Sequence, residues 1–427
     1  MSEPILIAGG GIGGLGAALA LARAGHPVRL FERGAEFREL GAGIQLGPNV
    51  FGMFDRLGVR AAMEAQAAFP KALVMRCAIH GHEIARIPLE GMPARYGNPY
   101  AVIHRGDMLE ALLAACRTTP GVSLETSRTV TGYEQDAAGV TLRFESGGPV
   151  RGAALVGADG LWSRIRAQLL GDGPPVVSGH IAYRAVLPMA EVPEGIPRNI
   201  VQLWAGPRLH LVHYPLRRGE LMNLVAVFHS DRYEEGWDQA GDTALLWEHF
   251  AGTRPEVRAM LGKIDAWRFW VLCDREPQRG WSEGRVALLG DAAHPMLQYL
   301  AQGANMALED AVCLADQLAL HGDIPRALAE YEAQRVLRTG RVQTTARIFG
   351  EIYHAAGVRA ELRDQWLAGR DPATAREGMA WLYDRPRWPG SRADLCDCQA
   401  GAPTGGMTVP FMPRPRPVPA GRARRGA

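Results

Sequence analysis

Apolar residues in the first part of the chain fall in short, unbroken runs joined by helical patterns. Ile5 to Ala8 form one such run, and a glycine-rich turn leads from it into Ala17, Ala18 and Ala22 at helical spacing. A short run with no polar alternation reads as a strand buried on both faces of a parallel sheet. HPVRLFER then supplies a second strand, completing a β-α-β start. Beyond residue 176 the period changes. HIAYRAVL, NIVQLWAG, RLHLVHYPL and MNLVAVFH alternate with period two between Gly and Pro turns, which predicts an antiparallel sheet set into the parallel domain. ALAEYEAQRVLRTGRVQTTARIFG returns to helical spacing as one long, arginine-lined helix. The pattern divides the chain into 1–175, the first part of a nucleotide-binding domain, 176–265, the inserted sheet, and 266–350, the second part. Helices are expected over 351–384 and a disordered Pro/Gly/Arg-rich tail over 385–427.

Composition narrows the class. The 427 residues carry 47 Lys and Arg against 45 Asp and Glu, a net charge of +2. That balance gives no general attraction to nucleic acid or acidic lipid, and neither partner is expected. No run of 18 apolar residues predicts a transmembrane helix. The apolar N-terminus opens on Glu3 without a basic flank, so a cytoplasmic protein is expected rather than a secreted one. Of the cysteines at 77, 116, 273, 313, 396 and 398, only Cys396 and Cys398 lie close together. A CxC without further ligands is a poor metal site, so reduced thiols and no metal are expected.

The turn after the first strand places Gly9, Gly11 and Gly14 as GxGxxG. Such glycines allow a tight turn, close backbone approach to a pyrophosphate, and close helix–strand packing. The helix N-terminus offers free N–H groups to the phosphates. Glu32, ending the second strand, is placed to accept hydrogen bonds from ribose hydroxyls. The fold class that follows is α/β, Rossmann-like, with an inserted antiparallel sheet and a C-terminal helical region. Arg105 stands just before an amphipathic helix, where it reaches a phosphate or merely caps the helix. In LVGADGLWSRIR, Asp159 either caps the helix starting near Ser163 or holds a cofactor through its neighbours. RVALLGDAAHP brings a strand to its end at Asp291, where ligands bind in doubly wound sheets. Gly303 and Ala304 open another helix whose N-terminus is free for an anion.

Taken together, GxGxxG with Glu32, GADG at 157–160, and GDAAHP followed by QGANMALEDA resemble the single-component FAD-dependent aromatic hydroxylases, over residues 4–350 and in the same order. The resemblance implies that Glu32 binds the adenosine ribose, Arg105 approaches FAD, and Asp291 contacts the ribityl–pyrophosphate region. It also implies that Asp159 and Gly160 serve FAD and a transient NADH, for which no second GxGxxG is present. Reduced flavin would react with oxygen to a C4a-hydroperoxide that an electron-rich ring attacks, in a site that excludes water. Gly303 and Ala304 would steady charge at flavin N1–C2=O.

Alternation in LHLVHYPL puts Leu209, Leu211 and His213 on one face and His210, Val212 and Tyr214 on the other. A histidine suits proton removal from a phenol, and His213 is the expected base. The turn HPMLQYLAQGAN carries Gln298 where many relatives have proline, and Ala301 where they have glycine; Gln298 is expected to bond the substrate hydroxyl, with Tyr299 only packing. Both features resemble the 3-hydroxybenzoate 6-hydroxylases. The expected reaction is para-hydroxylation of 3-hydroxybenzoate to gentisate with NADH and O2. Arg184 or backbone amides would take the carboxylate, unless Arg184 serves the flavin instead. Alternatives are salicylate 1-hydroxylation or another phenolic or heterocyclic acid, a flavoprotein oxidase or dehydrogenase, and a non-catalytic FAD scaffold. The oligomeric state is open, with the 351–384 helices suited to a homodimer.

Overall fold

The computed structural model describes residues 3–38, 42–230 and 239–391. The first strand, Ile5–Ala8, lies in the middle of a six-stranded sheet, between Ala154–Gly157 and Val28–Phe31 and parallel to both. Val122–Glu125 closes one edge; Val286–Leu288 and then Ser282–Glu283 close the other. Every residue of Ile5–Ala8 is buried, as expected of a strand covered on both faces. The helix Ile12–Arg23 packs on the helix Gly303–Leu320. A Cβ on Gly16 would stand 2.5 Å from the Leu308 side chain, so the absence of a side chain there sets how closely the helices meet.

The second sheet has eight strands, in the order Gln239–Ala240, Arg268–Asp274, Val176–Pro188, Leu221–His229, Leu209–Leu216, Val201–Gly206, Ala72–Cys77 and Glu83–Pro88. It reaches beyond 176–265 on both sides. Arg268–Asp274 pairs antiparallel with Val176–Pro188, whereas Ala72–Cys77 joins Val201–Gly206 in parallel. Without the second pairing, Val201–Gly206 would leave an open row of backbone donors and acceptors. One face of the sheet is closed by the helices Thr243–Phe250 and Pro255–Leu261, with Leu211, Leu224 and Trp204 in the shared core. The other face meets the nucleotide-binding domain, where Tyr214 packs among Leu297, Tyr299, Leu300 and Met306.

The long helix runs from Ile324 to Tyr353, followed by Val358–Leu367, Pro372–Glu377 and Ala380–Tyr383. Disorder from 385 onward is corrected for the first seven residues. Trp388 is buried and its indole N–H donates to Asp316 at 2.8 Å, while Pro389 C=O accepts from Gln317. Burying that indole outweighs the Pro/Arg composition around it. Residues 392–427, including Cys396 and Cys398, lie outside the described residues. Cys77, Cys116, Cys273 and Cys313 are buried free thiols. Among the described residues, no helix is long and apolar enough to cross a membrane.

Candidate active site

The glycine turn is dictated by contact distances. Gly9 has φ +106°, and a Cβ there would lie 2.3 Å from Ala158 O. A Cβ on Gly14 would lie 2.0 Å from Gly9 O. Gly11 is the N-cap of Ile12–Arg23 and brings no side-chain cap, so the N–H groups of that first turn stay available. Glu32 follows the strand Val28–Phe31 and accepts from the Gly10 and Gly34 N–H groups, each at 2.8 Å. Its carboxylate is thereby fixed against the turn, with lone pairs left for a diol.

Asp291 lies just past the strand Val286–Leu288 and is open to solvent. A Cβ on Gly303 would stand 3.8 Å from its Oδ1, so the two positions are neighbours across the chain. Arg105 opens the helix Arg105–Thr118, and its charge acts on Asp291. Gly303 and Ala304 begin their helix with neither a side-chain cap nor an acidic residue in the first turn. Asn305, one residue on, is wholly buried with both amide atoms unpartnered. A buried amide with no partner is costly, and a heteroaromatic ring edge bearing donors and acceptors would satisfy it. The glycine cradle, the two open helix ends and this orphaned amide all fit FAD. Asp159 caps the helix Arg164–Leu170, accepting from Ser163 Oγ at 2.5 Å and Arg164 N–H at 2.8 Å. Its carboxylate thereby holds the turn that leads into that helix.

Behind the Gly303 helix lies a buried charged network that sequence reading missed. Arg335, from the long helix, donates to Asp310 at 2.6 Å and Glu309 at 2.7 Å. Asp310 also bonds His294 at 2.6 Å and accepts from Gly290 N–H, which anchors the turn bearing Asp291. Arg335 and His294 hold the Asp310 carboxyl low, at about 2, against burial, which alone would raise it.

His213 is not where the expected base would need to be. The strand alternates as predicted, but the His213 face is the one covered by Thr243–Phe250 and Pro255–Leu261. His213 is wholly buried there, accepting from the Trp204 indole at 3.4 Å, and burial pushes its pKa down to about 4. His210, Val212 and Tyr214 occupy the face turned to the nucleotide-binding domain. Gln298 heads the 3-10 turn Gln298–Leu300, and its Oε1 accepts from Arg184 at 2.5 Å. Arg184 in turn stands over the Trp270 ring. Tyr299 is buried against His210, with ring centroids 5.6 Å apart, and its hydroxyl bonds His180 Nδ1. The structure thus brings Gln298, Arg184, Tyr299 and His210 to one face and leaves His213 on the other.

His210 is part of a cluster with His180, His229 and His354. His210 Nδ1 meets His354 Nε2 at 2.7 Å, and His354 Nδ1 meets His229 Nε2 at 2.9 Å. Burial lowers all four, His210 to about 3 and His180 to about 4. These rings stay neutral in the fold but take protons near pH 6.5 once unfolded. The unfolded chain therefore binds more protons as pH falls, so stability is full above about pH 6.5 and declines below it, by up to about 1.4 kcal/mol per pH unit for each ring. Melting temperatures measured from about pH 8 to about pH 5 are expected to drop through the acid half of the range; a flat series would mean the rings are charged or exposed.

Residues 2–346 match the FAD binding domain family. A 3-hydroxybenzoate 6-hydroxylase from Polaromonas naphthalenivorans (strain CJ2) is 45% identical over 89% of this chain and 95% of its own length. The chain belongs to the FAD-dependent aromatic hydroxylases. Another 3-hydroxybenzoate 6-hydroxylase, from Klebsiella oxytoca, is 44% identical over 88% of this chain and 96% of its own. Among solved structures, HpxO of Klebsiella pneumoniae complexed with FAD and uric acid superposes with a TM-score of 0.78 at 27% identity, covering 89% of this hydroxylase and 97% of that chain. FAD is accordingly the cofactor, and the enzyme is an FAD-dependent aromatic monooxygenase.

Proposed function

We propose that this hydroxylase converts 3-hydroxybenzoate to 2,5-dihydroxybenzoate, with NADH and O2 as co-substrates. The observation that carries the reading is the Arg184–Gln298 pair on the same face of the sheet as His210. Arg184 takes Gln298 Oε1, which leaves the amide NH2 as a donor polarised by a cation. That donor suits a phenolate oxygen better than a phenol, and a neutral imidazole at His210 is the group to remove the proton. Ionising the ring hydroxyl raises electron density at the carbon para to it, the position that becomes hydroxylated. The relatives at 44 and 45% identity, named for this reaction, support the same substrate.

Gly9, Gly11 and Gly14 would hold the pyrophosphate, Glu32 the adenosine ribose, and Asp291 with Arg105 the ribityl–pyrophosphate region. The N–H groups at Gly303 and Ala304 would face the flavin ring. When bound, FAD accepts hydride from the nicotinamide and supplies the electrophilic oxygen from O2. Val212 and Leu272, apolar residues on the inner face of the sheet that remain partly exposed, would wall the ring and keep water out. The test is product identification from holoenzyme, NADH and 3-hydroxybenzoate. Gentisate formed in step with NADH oxidation is expected; catechol from salicylate with no gentisate, or peroxide without any new phenol, overturns the reading.

A further inference from the structure

The His210–His354–His229 chain has a direction. Among the described residues nothing pairs with His210 Nε2, while its Nδ1 is engaged by His354. His354 uses both ring nitrogens, one toward His210 and one toward His229. Exposure rises along the chain: His210 and His354 are 3% and 7% exposed, and His229 is half-buried. Neutral imidazole has one N–H donor and one acceptor, so a consistent tautomer order exists in which His210 donates to His354 and His354 to His229. Resting on the phenol-hydroxylating reading above, we propose that these three histidines form a proton path between the substrate hydroxyl and solvent.

The transfer balances atom by atom. The phenolic proton goes to His210 Nε2, and the proton on His210 Nδ1 passes to His354 Nε2. The proton on His354 Nδ1 passes to His229 Nε2, and the one on His229 Nδ1 leaves to water. The substrate oxygen keeps the electron pair, and each ring ends neutral with its proton on the other nitrogen. When the product hydroxyl regains a proton, the same steps in reverse restore the tautomers. Imidazolium is not needed at any buried position once the transfer is complete. That matters because burial disfavours a charge on His210, and burial together with the neighbouring histidines disfavours one on His354.

The backbone holds the path in register. His354 is the C-cap of the long helix, and its carbonyl accepts from Arg208 N–H at 3.1 Å. Arg208 sits in the hairpin with φ +59°, and its own carbonyl accepts from His229 N–H at 3.0 Å. Few of the described residues face the path. His180 lies tilted against His229, with ring centroids 4.1 Å apart, and is tied to Tyr299; Tyr353 edges His210; Arg208 and His249 oppose a proton on His229, while Glu351 favours one. Among the described residues Glu351 is the one carboxylate acting on His229, the half-buried end where a departing proton is best received. His210 would touch substrate; His354 and His229 act through it and are positioning residues.

Stopped-flow mixing of the oxidised holoenzyme with 3-hydroxybenzoate, in weak buffer with a pH indicator, reads the proton released as the phenol ionises. His354→Gln and His229→Ala are expected to slow that release and kcat by about 10- to 100-fold at unchanged FAD content and substrate KM. Added imidazole is expected to restore His229→Ala, a rescue that a merely structural role would not give. Wild-type gentisate production with both variants releasing the proton at the wild-type rate overturns the path but not the substrate reading. No gentisate and no proton release from wild type overturns both. If His354→Gln does not fold, His229→Ala at the half-buried end decides the matter. His180, His229 and His354 also present ligand atoms within 4.8 Å of one another. Stoichiometric zinc in the purified holoenzyme, lost in His229→Ala, likewise overturns the path, since a metal would take those lone pairs.

Discussion

Gly14→Ala is expected to yield a protein purified without its yellow colour. The new Cβ would stand 2.0 Å from the Gly9 carbonyl oxygen and 3.6 Å from the Ala158 Cβ, and backbone on that side cannot move like a flexible side chain. Either the helix Ile12–Arg23 shifts away from the strand Ile5–Ala8 or the turn opens, and both displace the N–H groups meant for the pyrophosphate. Strain of this kind costs about 1–3 kcal/mol in a packed core. If it falls on the bound state, FAD affinity drops by up to about 100-fold. Absorbance near the flavin band per mole of protein, with FAD titrated back, measures it. Full flavin content in Gly14→Ala would show that the phosphate lies elsewhere.

The second large effect is expected from His210→Gln: hydroxylation falls by about 10²- to 10⁴-fold, the range for loss of a general base, while FAD content stays the same. NADH is still consumed, with oxygen diverted to peroxide. Burial sets the His210 pKa at about 3, so the imidazole is already neutral at every assay pH, and the wild-type rate shows no acid limb near 6.5 from this residue. His213→Leu serves as the internal control. It alters the contact with Trp204 in the helix-covered core, so thermal stability moves and coupled turnover does not. Turnover lost in His213→Leu and kept in His210→Gln would reverse the assignment of the two faces.

The glycine turn was legible in the sequence because close backbone approach leaves glycine as the one residue that fits, and that choice is visible in the letters themselves. Asp159 as a cap was legible for a similar local reason, the Ser163 hydroxyl and the Arg164 N–H group it binds being within five residues. The choice between His210 and His213 was not. Period-two alternation separates the two faces of a strand but carries no information on what covers each one. That is decided by Thr243–Phe250 and Pro255–Leu261, and by the turn at Gln298–Leu300, all remote in sequence. The Ala72–Cys77 strand escaped for the same reason: its partner, Val201–Gly206, lies well over a hundred residues away. His354 carried no local signal, since it lies just past a helix end. Its two ring partners come from separate strands of the other domain.

That last arrangement bears on how the enzyme can be rebuilt. Swapping the sheet between relatives to change substrate preference is an obvious engineering route, with breakpoints near 176 and 265. Such a chimera would import His180, His210 and His229 but keep the host's residue at 354, and it would cut the sheet between Val176–Pro188 and Arg268–Asp274. A transplantable cassette therefore has to include Arg268–Asp274 and the end of the long helix, with Ala72–Cys77 matched on the opposite edge.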